Sequence, residues 1–170
     1  MWSKTAPFSR KIKRMDSPAR SVLKKLEEKG MSLGSVESLT AGLFASTICE
    51  IPGASKVFKG AIVSYDNSVK THLAEVQEET IDTFGVVSQE VADEMALGGA
   101  RALFVDVCVS FTGNAGPTAE PGGAKVGDVF ISVAFGNRGI FHFPCHFKGT
   151  RNSIRQQCVD KALEEIDAML

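Results

Sequence analysis

The residue types best suited to chemistry cluster in two short segments. Glu37-Ser38-Leu39-Thr40-Ala41-Gly42 places a serine in a turn, and Tyr65-Asp66-Asn67-Ser68-Val69-Lys70 places a lysine five residues after the only tyrosine. A serine hydroxyl is a weak nucleophile until a nearby base takes its proton. A lysine of ordinary pKa, about 10.4, is neutral in only about one molecule in a thousand near neutral pH. Burial worth about 3–4 kcal/mol lowers that value enough to make the amine a usable base. Ser38 with Lys70, assisted by Tyr65, is therefore a candidate for acyl transfer. The plainer readings remain open at this level: Ser38 or Thr40 capping a helix, and Lys70 a surface lysine.

Three further segments offer binding groups. The turn through Thr40, Ala41 and Gly42 leads into a helix, where unpaired N–H groups favour an oxyanion or a phosphate. Thr112-Gly113-Asn114-Ala115-Gly116-Pro117 follows an apolar strand, and Gly113 and Gly116 permit close backbone approach to a ligand. It lacks both the Gly-Lys-Ser/Thr of a P-loop and the spacing of a dinucleotide fingerprint. Arg151 and Arg155, one helical turn apart, can grip a phosphate or form a solvated face. Asn67 and Thr112 are further polar candidates for positioning a ligand. His142 and His146 resemble a metal pair, but on a strand Cys145 faces away from both, so no metal site is expected.

The elements that must position these groups alternate. Helical patterns are expected at Val22–Lys29, Leu43–Ile48, Asp66 to Lys70, Thr80–Phe84, Ser88–Leu103 and Arg151–Leu170. Strands are expected at Met31–Val36, Phe58–Tyr65 and Val105–Phe111, and a hairpin at Val126–Phe135 and Ile140–Phe147. Interleaved helices and strands followed by a hairpin predict a three-layer α/β/α sandwich with a mixed β-sheet.

Bulk properties narrow the class. The 170 residues, 44% hydrophobic and 23% charged, suit one globular domain over 22–170, behind a basic extension at 1–21. Residues 1–25 hold eight lysines and arginines against one acid, and the rest hold eleven against nineteen. A body of that sign repels a nucleic-acid backbone, so no nucleic-acid partner is expected. No apolar run is long enough to cross a bilayer. A cytoplasmic location is expected, with organellar targeting by the basic segment as the alternative. Cys49, Cys108, Cys145 and Cys158 form no CxxC pair and are read as buried thiols.

Taken in order, ESLTAG, PGASKVFKGAIVSYDNSVK, GVVSQEVADEMA, TGNAGP, KVG and FKGTRNSIRQQ resemble the C-terminal domain of the competence/damage-inducible protein CinA. The match runs from about Glu27 to the C-terminus. The resemblance implies deamidation of nicotinamide mononucleotide to nicotinic acid mononucleotide and ammonia. It implies Ser38 as nucleophile, Tyr65 and Lys70 as its partners, and Thr112 and Arg151 as substrate-binding residues. It implies no metal or organic cofactor, a small nucleotide as substrate, and a homodimer or higher homo-oligomer. The alternatives are a non-catalytic nucleotide- or phosphate-binding module and a competence-associated interaction protein. The chain departs from the usual pattern at Leu39, Ala41, Asn114 and Thr150, where cysteine, glycine, isoleucine and aspartate are common, and Ala124-Lys125-Val126-Gly127 lacks the proline of the common KPVG.

Overall fold

A computed structural model of the chain describes residues 17–119 and 121–170. Most of the expected basic extension lies outside these residues. Strands β1 (Leu33–Glu37), β2 (Phe58–Val63), β3 (Val107–Gly113), β4 (Asp128–Phe135) and β5 (Ile140–His146) form one sheet in the order β2-β1-β3-β4-β5. β1 pairs parallel with β2 and β3, and the β3–β4 and β4–β5 pairs are antiparallel. The sheet is thus mixed, as predicted.

Helices cover both faces. α1 (Pro18–Glu28), α2 (Leu43–Cys49) and α6 (Arg151–Met169) bury Leu26, Phe44, Ile154 and Ile166 against Leu33, Val109 and Ile131 of the sheet. On the other face, α3 (Asn67–Ala74) and α5 (Gln89–Leu103) bury Ala74, Val91 and Met95 against Val36 and Cys108. α4 (Glu78–Phe84) is a short helix between them, with no buried residue. The close approach of α3 to α5 depends on Gly98, where a Cβ would meet the Ala74 carbonyl oxygen at 1.8 Å.

Several boundaries follow local signals in the sequence. Asp66 caps α3 by accepting from the Ser68 N–H, and Ser88 caps α5 by accepting from the Val91 N–H. α1 begins four residues before its expected start. Ser17 is its N-cap and Pro18 its first residue, and Ala19 is buried, so the helix reaches into the segment read as an extension. α4 is longer than the single turn expected. The cysteine expectation needs one correction: Cys108 and Cys158 are buried, with burial pushing both thiols up to about 12, whereas Cys49 is exposed and Cys145 half-buried. Among the described residues, no helix is long and apolar enough to cross a membrane.

Candidate active site

At the C-terminal ends of β1, β2 and β3 the ladders continue past the strands. Ser38 N–H donates to the Phe111 carbonyl (3.0 Å) and Ser64 N–H to the Glu37 carbonyl (2.9 Å). Side chains alternate across a strand. Leu33 packs with α1, α2 and α6, whereas Val36 packs with α3 and α5. Ser38 continues on the Val36 side. Its register neighbours beyond Ile62 on β2 and Ser110 on β3 are Ser64 and Thr112. Carried past the paired strands, this register sets Ser38, Ser64 and Thr112 on neighbouring chains at the ends of the parallel strands.

Lys70 is 1% exposed. Its Nζ donates to the Ser64 carbonyl at 2.7 Å and to the Tyr65 carbonyl at 3.4 Å. Desolvation lowers its pKa, opposed by the nearby Asp66 carboxylate. A neutral amine has two N–H bonds and one lone pair, so these two carbonyls can take both hydrogens and leave the lone pair free. Lys70 thus sits against the chain just beyond β2, the strand paired with the one that leads into Ser38. Among the described residues, no hydrogen bond joins the Ser38 and Lys70 side chains.

Glu37 is fully buried on the opposite face, and the sequence alone did not single it out. Its carboxylate accepts from Ser35 Oγ (3.0 Å) and from the N–H groups of Gly42 (2.9 Å), Phe44 (3.1 Å) and Ala45 (2.9 Å). The expected open anion site at the start of α2 is therefore filled by the protein's own acid. Neither Ser38 nor Thr40 caps this helix: its N-cap is Gly42, at φ 92°, without a side-chain cap bond. The Ala41 N–H is also taken, by the Ser38 carbonyl, and among the described residues those of Leu39 and Thr40 make no hydrogen bond. Ala41 itself has φ 47°, a region where glycine is less strained. The usual glycine at this position thus has a backbone reason.

Arg155 differs from its expected role in the same way. Its guanidinium donates to the carbonyls of Leu39 (2.9 Å) and Thr40 (2.8 Å), clamping the turn from α6 rather than facing a ligand. Thr40 is buried, and among the described residues its Oγ1 has no hydrogen-bond partner. Thr112 is buried too, donating to the Val86 carbonyl at 2.8 Å and tying the α4–α5 loop to β3. Asn67 is exposed at the first position of α3, apart from the residues lining the cleft described next.

Ser38 opens onto a cleft of about 850 Å³. Its walls come from Leu39, Tyr65, Phe84 to Val87, Gly113 to Ala115, parts of the 118–124 loop, and Arg151. A volume in this range suits a small organic ligand. Arg151 crosses its rim, donating to the Gly116 carbonyl (2.6 Å) and to the Tyr65 hydroxyl (2.9 Å). Tyr65 thus meets Lys70 through its backbone carbonyl and Arg151 through its phenol. The assistance expected of Tyr65 therefore does not take the form of a phenolic bridge from Ser38 to Lys70.

A second polar cluster lies on β4, β5 and α5. Asp93 Oδ1 accepts from Gln89 Nε2 (3.0 Å) and Ser132 Oγ (2.6 Å), and His142 Nδ1 lies 2.9 Å from it. Gln89 Oε1 is the one buried side-chain atom of that cluster without a partner. His146 Nδ1 lies 2.8 Å from Asp128 Oδ1, and that contact holds the Asp128 carboxyl below the usual range. Cys145 points the other way and packs against the α6 side, as strand alternation predicts. Among the described residues, no three His, Cys, Asp or Glu side chains are grouped to hold a metal ion.

A three-layer α/β/α domain with hydroxyl side chains and a buried lysine at the ends of its parallel strands is the class that fold and site define. The chain belongs to the CinA C-terminal domain family, whose model matches residues 15–170. It is 44% identical over 131 residues to the CinA-like protein of Leptospira borgpetersenii serovar Hardjo-bovis (strain L550), covering 77% of this chain and 31% of that one. The chain spans about a third of the length of the curated relatives it matches. The crystal structure of competence/damage inducible protein CihA from Agrobacterium tumefaciens is similar, with a TM-score of 0.85 at 32% identity, covering 89% of this chain and 92% of that one. A CinA superfamily protein from Escherichia coli shares the fold, with a TM-score of 0.85 at 23% identity over 94% of each chain.

Proposed function

We propose that the protein is an amidohydrolase that converts nicotinamide mononucleotide to nicotinic acid mononucleotide and ammonia. The observation that carries this reading is Lys70: an almost fully buried amine of lowered pKa, its N–H groups directed at carbonyls beside the strand end that bears Ser38. Burying an amine is unfavourable, and such groups concentrate where chemistry needs a base.

In the proposed reaction Ser38 Oγ attacks the carboxamide carbon while its proton passes to Lys70 Nζ. The carbonyl π pair moves to oxygen, where the unengaged N–H groups of Leu39 and Thr40 supply hydrogen bonds, with Gly113 on the facing wall. When the C–N bond breaks, the proton held on Lys70 goes to the departing nitrogen, and ammonia leaves. Water then attacks the ester on Ser38 as Lys70 takes its proton; the bond from the acyl carbon to Ser38 Oγ breaks, the proton on Lys70 returns to that oxygen, and nicotinic acid mononucleotide leaves. No cofactor enters any step. Leu39, Phe84 and Val86 offer apolar surface for a flat ring, and Arg151 a charged partner for the phosphate.

Ammonia release from nicotinamide mononucleotide tests the reading. The expected result is steady turnover by the wild type and loss of at least about a thousandfold in Ser38→Ala, with the fold kept. Binding of the nucleotide without turnover would favour a non-catalytic binding module instead.

A further inference from the structure

Ser64 is fully buried, and among the described residues its Oγ has no hydrogen-bond partner. A buried hydroxyl left unpaired costs free energy, so an unpaired one within a site calls for a reason. Its surroundings supply one. The Ser64 N–H is bonded to the Glu37 carbonyl, which sets Ser64 beside Ser38 on the neighbouring strand, about 4.8 Å away at the backbone. Its carbonyl accepts from Lys70 Nζ at 2.7 Å. The Ser64 backbone is thus bonded on one side to the strand that leads into Ser38 and on the other to Lys70; among the described residues those two side chains make no direct hydrogen bond, and the Tyr65 phenol is held by Arg151. Rotation about one side-chain torsion redirects the Ser64 oxygen among its staggered positions.

Resting on the nucleophilic role given above to Ser38, we infer that Ser64 is the proton relay between Ser38 and Lys70. As the bond from Ser38 Oγ to the acyl carbon forms, the Ser38 proton moves to Ser64 Oγ and the Ser64 proton moves to the Lys70 lone pair. The return journey runs in reverse and delivers the proton to the leaving nitrogen. Ser64 ends each step with one proton, as it began.

Two readouts test the relay. The first is labelling of Ser38 by phenylmethanesulfonyl fluoride, followed by peptide mass, and the second is ammonia release from nicotinamide mononucleotide. In Ser64→Ala both rates are expected to fall about a hundredfold or more, with KM nearly unchanged. Ser64→Thr, which restores a hydroxyl, should recover to within about tenfold of wild type. Circular dichroism confirms that each variant is folded, and Ser64→Thr against wild type suffices if Ser64→Ala is not. Normal labelling and turnover in Ser64→Ala, or a loss in folded Ser64→Thr as deep as that expected of Ser64→Ala, overturns the relay while leaving Ser38 as nucleophile. Labelling with the expected Ser64 dependence but no ammonia release would keep the relay and reject the substrate. Absence of any Ser38 label or turnover in the wild type removes both.

Discussion

The two halves of the sheet each carry a cluster of side chains able to do chemistry, and they differ in how those groups are solvated. On the antiparallel half, Ser132 and His142 meet one carboxylate oxygen of Asp93; Ser132 is buried, but the side chains of His142 and Asp93 are 46% and 25% exposed. On the parallel half, Lys70, Ser64 and Thr40 are buried, two hydroxyls lack partners among the described residues, and the amine is desolvated. Carboxylate and imidazole in mutual contact near solvent contribute modestly to stability and are common on protein surfaces. Groups kept dry and under-bonded at the carboxyl ends of parallel strands are held there at a cost, and open α/β sheets bind ligands at such ends. Solvation, more than residue type, separates a site from a decoration.

That contrast can be broken at several points. After loss of the nucleophile in Ser38→Ala, the largest effect is expected at Lys70→Met, which removes the base while keeping a chain of similar length: turnover should fall by about a hundredfold to ten-thousandfold. In the wild type the working form is the neutral amine. Activity should therefore rise with pH through a midpoint below the ordinary lysine value of 10.5 and be lost on the acid side, and Lys70→Met should abolish that limb. A profile flat across this range would contradict the assignment.

Glu37→Gln comes next. Either orientation of the new amide sets an NH2 group against donors, since Oε2 accepts from Gly42 and Phe44 and Oε1 from Ser35 and Ala45. A loss of about 2–3 kcal/mol in urea unfolding is expected. A smaller effect is expected at Arg151→Ala: a KM raised about tenfold with kcat nearly kept, provided Arg151 grips the phosphate rather than only the Gly116 carbonyl and the Tyr65 hydroxyl. The smallest is His142→Ala on the other half of the sheet, with turnover changed by less than about twofold and stability by less than about 1 kcal/mol.

Much of the scaffold could be read in the chain, because its signals are local. Asp66 and Ser88 announce their helices by side-chain caps, and the segment Gly136 to Gly139 announces the β4–β5 hairpin. Ser38, Tyr65 and Arg151 were also legible, and they meet at one cleft. What escaped depends on contacts between distant segments. Arg155 reads as a ligand-facing arginine until α6 is packed against the turn and its donors meet the Leu39 and Thr40 carbonyls, more than 100 positions away in sequence. Glu37 stands in the very motif that drew attention, but only the fold of the turn brings the α2 N–H groups onto its carboxylate. Ser64 gives no sequence signal at all, since its significance lies in an inter-strand register and a missing partner.

The central contrast is tested most directly by measuring ammonia release from nicotinamide mononucleotide for wild type, Ser38→Ala and His142→Ala side by side. The expected result is full activity in the wild type and in His142→Ala, and none above background in Ser38→Ala. Turnover that survives in Ser38→Ala but disappears in His142→Ala would put the chemistry on the wrong half of the sheet and contradict the account.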